Sequence, residues 1–132
     1  MEDWKIKVSL LWLIYETALS AYMSLGTLMP NVLKDFIDTG KLTGIEVTPE
    51  ILLLFAVLLM VPLVMAFVTI ALRDVINRWA NIVVGVVFVV LELLELADLV
   101  ANPSAAMTLI WIWKTIAPIL IIWYAWNSKQ KT

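Results

Sequence analysis

The sequence predicts an all-α membrane protein: one four-helix transmembrane bundle, antiparallel and up-down, with both termini on the cytoplasmic side. Three observations lead there. Of its 132 residues, 63% are hydrophobic and only 15% are charged, against about 45–50% and about 25% in soluble domains. A chain this short cannot hide so much apolar surface from water, because small domains keep a large surface-to-volume ratio. Four stretches, residues 8–29, 51–72, 80–101 and 105–126, are apolar over the length a spanning helix needs, about 20 residues. Basic residues are also distributed unevenly. With four spans, Lys5, Lys7, Arg73, Arg78, Lys129 and Lys131 share one side and only Lys34 and Lys41 lie on the other. That bias puts the termini and the middle loop in the cytoplasm. Trp4, Trp79, Trp123, Tyr124 and Trp126 fall near the same interface, where amphipathic rings settle.

The first stretch is read as a retained helix and not as a signal peptide. Lys5 and Lys7 resemble a basic leader, but Glu2 and Asp3 precede them and Glu16 interrupts a long apolar run. Residues 30–48 form the one long connection and are expected outside the cytoplasm. There Asn31 is placed to cap a short interfacial helix. Val32, Leu33, Phe36 and Ile37 share one face of it, opposite Lys34, Asp35 and Asp38. Gly40 is its expected stop and Gly44 a turn. Thr48-Pro49-Glu50 is a helix start, with a capping hydroxyl, a proline in the first turn and an acid at the positive dipole end. Pro62 and Pro118 fall inside the second and fourth spans, where each removes a backbone donor. Four helices with short connections make one domain, residues 1–132.

The chain has no cysteine and no histidine. Disulfides, thiolate or imidazole metal sites and a Ser-His-Asp triad are therefore excluded, and no cofactor or metal is expected. The net charge of −2, without a basic run, gives no footprint for nucleic acid. The expected partners are the lipid bilayer, a second copy of the chain, or a small ligand or proton. The expected location is the cell membrane.

The ionisable residues within the spans carry the most information: Glu16, Glu92, Glu95 and Lys114. A charge at the bilayer centre costs about 2.5–3.5 kcal/mol on insertion scales, so such groups turn toward the bundle interior. At 1.5 Å per residue, Glu92 and Lys114 both lie about 18 Å from the cytoplasmic ends of their helices. Glu95 lies about 22 Å up, and Glu16 about 12–18 Å. All four can meet near one level, and Lys114 with Glu92 or Glu95 is the natural ion pair. Glu92 and Glu95 are one turn apart, so the two carboxylates repel one another when both are ionised. Ser9, Glu16, Ser20 and Thr27 make a polar stripe on the first helix. Asn81, Gly85, Glu92 and Glu95 make one on the third, and Trp111, Lys114 and Pro118 share a face of the fourth. The second helix carries no charge and serves as a lipid-facing or packing wall. Asp98 is expected to bond near Asn102 at the interface, and Arg73, Asp74 and Arg78 to form a solvated topology signal.

Three segments carry a resemblance: Asn77-Arg78-Trp79-Ala80-Asn81-Ile82, Val47-Thr48-Pro49-Glu50 with Leu59-Met60-Val61-Pro62-Leu63, and the closing Ile121-Ile122-Trp123-Tyr124-Ala125-Trp126. From Ile45 onward the chain resembles DUF6326, a family of small bacterial and archaeal four-helix membrane proteins of unknown function. It departs from the family pattern at Met60, where related chains carry an acid, and in a shorter loop before the Asn-Arg-Trp segment. The resemblance implies the fold and topology and no chemistry.

Two functional readings follow. One is a structural or accessory membrane protein, self-associating or not, with a buried Glu/Lys network. The other is a transporter or binding protein for a proton, a cation or an amphipathic ligand. It would use Glu16, Glu92, Glu95 and Lys114, with Trp12, Tyr15 and Trp111 as pocket walls, since aromatic faces beside carboxylates suit an organic cation. Four short helices with a first-span carboxylate are similar in architecture to the small multidrug resistance exporters, whose other motifs do not surround Glu16. With no nucleophile constellation or phosphate-binding loop, an enzyme is the weakest reading. Its one remaining form is carboxylate proton transfer at a lipid substrate.

Overall fold

A computed structural model describes residues 3–128, so Glu2, Lys129 and Lys131 of the expected charge pattern lie outside the described residues. The chain is all-α apart from one small hairpin. Its elements in order are α1 (Asp3–Gly26), α2 (Val32–Thr39), β1 (Lys41–Leu42), β2 (Ile45–Glu46), α3 (Pro49–Ala71), α4 (Asp74–Ala101) and α5 (Ala105–Trp126). Among the described residues, α1, α3 and α5 are long and apolar enough to cross a membrane. The longest helix, α4, carries the buried polar side chains Asn77, Asn81 and Glu92. It starts at Asp74, well before the apolar stretch at residue 80, so the Asn-Arg-Trp segment is helical.

Local chemistry sets the helix ends. Thr48 caps α3 as expected, its hydroxyl accepting from the Ile51 N–H at 3.2 Å, and Pro49 opens the helix where no amide partner is needed. Ser104 caps α5 in the same way, through the Met107 N–H at 3.3 Å. Asn31 does not perform its expected capping. Its backbone is left-handed, with φ 69°, and its side chain makes no cap hydrogen bond. Gly40 stops α2 with φ 72° and donates to the Phe36 carbonyl. Thr43 and Gly44 then both take positive φ, 50° and 83°, which fits the two-residue turns preferred in hairpins. Lys41 pairs with Glu46 and Leu42 with Ile45 across that turn. Both α3 and α5 run uninterrupted through Pro62 and Pro118.

The four long helices pack side by side. α1 lies against both α3 and α5, α5 against α4, and α3 touches α4 only sparingly. The core is built from Val8, Trp12, Tyr15, Leu19, Met65, Ala66, Phe88, Ala117 and Ile121. At its centre Trp12, Tyr15 and Phe88 meet edge to face, with ring centroids 5.0–6.2 Å apart. Such pairs contribute about 0.5–1.5 kcal/mol each beyond burial. The outward surface is aliphatic: Leu53, Phe67, Leu94 and Val100 are 66–72% exposed. In water that surface would be an aggregation liability, whereas in hydrocarbon it is the solvated face.

Gly85 lets α4 and α5 approach closely. A Cβ added there would sit 2.8 Å from Ile122 Cγ1 and 3.6 Å from the Pro118 carbonyl oxygen. Gly85→Ala is expected to push the Ile122 side chain off its rotamer and destabilise the bundle by about 1–3 kcal/mol, the usual cost of overpacking. The check is the thermal midpoint of purified protein in detergent. Gly85→Ala with Ile122→Ala, which removes the Cγ1 the new methyl would meet, should be less destabilised than the sum of the two single variants.

Candidate functional site

Two polar layers cross the apolar core. One is ionic. Lys114, from α5, is wholly buried, and its ammonium lies 2.6 Å from Glu95 Oε2 and 3.2 Å from Glu92 Oε2. Glu92 and Glu95 both come from α4, one turn apart, so a single lysine on the facing helix reaches both. From α1, the Tyr15 hydroxyl donates to Glu92 Oε1 at 2.6 Å. The Tyr22 ring lies under the Lys114 ammonium, 3.7 Å from its centroid, an arrangement in which the ring quadrupole attracts the cation. Trp111 Nε1–H donates to the Glu92 main-chain carbonyl at 2.9 Å. Glu92 is 1% exposed, whereas the Glu95 side chain is 36% exposed and is the solvent-accessible edge of the group.

The structure therefore brings Glu92, Glu95 and Lys114 together as expected, but Glu16 stands apart. The Ser20 hydroxyl donates to its Oε1 at 3.4 Å. Its Oε2 is buried and has no hydrogen-bond partner among the described residues. Neighbouring residues on a helix point about 100° apart, and in α1 Tyr15, not Glu16, faces α4. The three residues expected as pocket walls are hydrogen-bond donors: Tyr15 to Glu92, Trp111 to a main-chain carbonyl, and Trp12 to the second layer.

That second layer is neutral. Trp12 Nε1–H donates to Asn81 Oδ1 at 2.7 Å. Asn81 Nδ2 donates to Asn77 Oδ1 at 2.6 Å and to the Asn77 carbonyl at 2.9 Å. Asn77 Nδ2 donates to the Thr69 carbonyl at the end of α3. The Thr69 hydroxyl has a single proton. The Met65 carbonyl at 2.6 Å is better placed to take it than Asn81 Oδ1 at 3.2 Å. Asn77, Asn81 and Thr69 are all fully buried. Nearby, Ser9 donates to the Ala66 carbonyl at 2.8 Å and ties α1 to α3. The ionic and neutral layers are about 16 Å apart along α4, from Asn81 to Glu92, with Phe88 between them.

The Asn-Arg-Trp segment has a physical role that its sequence pattern did not disclose. A helix ends with carbonyls that lack intrahelical donors. Asn77 serves those of α3, through Thr69 and, at 3.5 Å, Leu72. Arg78 serves those of α5, donating to Ala125 at 3.2 Å and Trp126 at 3.0 Å. A guanidinium at a helix C-terminus also complements the dipole. It lies over the Trp79 and Trp126 rings, 5.5 and 5.3 Å from their centroids. Arg78 is therefore more than the solvated signal expected of it. Asp74 likewise pairs with Lys5 at 2.6 Å. Asp98 behaves as expected, accepting from Asn102 Nδ2 at 3.2 Å.

No group of three or more metal-ligating residues occurs among the described residues. A shallow, open groove of 490 Å³ lies on the outer face of α1 and α5. It is lined by Leu10, Leu13, Ile14, Thr17, Trp113 and their neighbours, and by neither polar layer. No curated protein and no solved structure matches the chain. The model of the Family of unknown function (DUF6326) matches residues 1–132. The chain therefore belongs to DUF6326.

Proposed function

We propose that this is a multi-pass protein of the cell membrane in which α1, α3, α4 and α5 cross the bilayer as an antiparallel bundle with both termini in the cytoplasm. Its role is structural or accessory, alone or as a self-associated assembly, with the Glu92–Lys114–Glu95 network pinning the helices. One observation carries the reading. The buried charges are taken up by one another: Lys114 has no exposed surface and spends its ammonium on two carboxylates and a tyrosine face. In hydrocarbon, unpaired ionic groups are expensive, and groups that pair within the bundle hold it in one register.

A second reading, a small transporter or binding protein for a proton, cation or amphipathic ligand, draws on Glu16. Its Oε2 has no hydrogen-bond partner among the described residues, and the partly exposed Glu95 gives the ionic layer an opening. Liposomes loaded with a pH-sensitive dye separate the two. The structural reading expects proton flux equal to that of protein-free vesicles, with Glu92→Gln lowering stability or assembly. Flux above that level, abolished by Glu16→Gln or Glu92→Gln in a protein that still folds, would establish the transport reading instead.

A further inference from the structure

We infer that the α2–β1–β2 unit is a lipid-binding surface that lies in the headgroup zone with Leu33, Phe36 and Ile37 turned into the acyl boundary, and that it needs no anionic lipid to do so. The inference rests on the reading that α1 and α3 cross the bilayer. The unit contributes no buried residue in α2, and its main packing contacts are internal, between α2 and the hairpin. The Val47 N–H closes it on the Gly40 carbonyl at 3.3 Å. Its apolar residues are therefore exposed: Leu33 46%, Phe36 39% and Ile37 79%. At 100° per residue these fall with Val32 on one face, while Lys34, Asp35 and Asp38 fall opposite.

Position decides the occupant. Short tethers join the unit to the end of α1 at Gly26 and to the start of α3 at Pro49. Both are helices long and apolar enough to span a membrane. A segment held between two span ends lies where hydrocarbon meets headgroups, and a helix with separated faces settles there. Charge decides the lipid class. Lys34 and Lys41 stand against Asp35, Asp38 and Glu46, so there is no basic cluster to draw anionic headgroups.

The chain has no cysteine, so a single nitroxide can be placed on the full-length protein in phosphatidylcholine liposomes. The variants are Leu33→Cys, Phe36→Cys, Ile37→Cys, Lys34→Cys and Asp38→Cys, with Val57→Cys on α3 as a reference. The expected result is oxygen access above that of a water-soluble nickel chelate at the first three sites and the reverse at Lys34 and Asp38. Replacing part of the lipid with phosphatidylglycerol should leave the pattern unchanged. Equal nickel access at all five sites would overturn the inference in favour of a solvated helix. So would low access to both reagents with spin–spin broadening lost on dilution by unlabelled chain, which means a second copy covers the face. A pattern that appears only with phosphatidylglycerol would overturn the lipid class. If Val57 is itself nickel-accessible, the spanning reading fails first.

Discussion

Lys114→Met is expected to cost about 3–5 kcal/mol of stability, the range for breaking a buried ion pair from one side. The mutation removes the only cation among the described residues within reach of Glu92, a carboxylate that is 1% exposed. The Tyr15 hydroxyl at 2.6 Å satisfies one oxygen of Glu92 and leaves Oε2 without a hydrogen bond. Glu95 should suffer less, because 36% of its side chain is exposed. The prediction is therefore asymmetric. Adding Glu92→Gln to Lys114→Met should recover more stability than adding Glu95→Gln, and the triple variant should approach the parent. Thermal or denaturant unfolding in detergent or bicelles measures each corner of the cycle. A Lys114→Met protein as stable as the parent would show that the ionic layer contributes no more than the roughly 0.6 kcal/mol of an average interhelical hydrogen bond.

Asn81→Leu is expected to be the next most damaging change. Its amide is the hub of the neutral layer, accepting from Trp12 and donating to Asn77. A leucine strands the Trp12 N–H and the Asn77 Oδ1 in a fully buried site, at about 1–3 kcal/mol for each group. Trp12→Phe deletes one stranded donor while keeping an aromatic ring against Phe88, so the double variant should be less damaged than the sum of the singles. The same unfolding measurements read this out, and strict additivity would sink the proposed coupling.

The ionic layer is largely legible in the sequence. Opposite charges on facing helices, at matched height with the two acids one turn apart, leave few ways to avoid unpaired burial, and Lys114 with Glu92 and Glu95 follows from that. Depth, however, says nothing of azimuth. Glu16 and Tyr15 are adjacent in sequence, and only the packing of α1 between α3 and α5 decides which of them meets α4. The donor roles of Trp12, Tyr15 and Trp111 were hidden because apolar bulk dominates any hydropathy reading of aromatic residues. Asn77 escaped because α4 begins before its apolar stretch, in what reads as a polar loop. The hairpin escaped because strands of two residues have no periodicity to read.

The lysine that neutralises α4 arrives on the next helix, and this order has a consequence for biosynthesis. If α4 spans the bilayer as proposed, Glu92 and Glu95 leave the ribosome with no cation nearby, because the arginine of their own helix, Arg78, lies about 21 Å from Glu92 along the axis, and an acid placed alone at mid-bilayer costs about 2.5–3.5 kcal/mol. Only three residues, Asn102, Pro103 and Ser104, separate α4 from α5. In that proposed arrangement the least costly course is for the two to partition into lipid together, as one hairpin already joined by its ion pairs. The carbonyls at the trailing end of α5 are then met by an arginine from the helix that entered beside it.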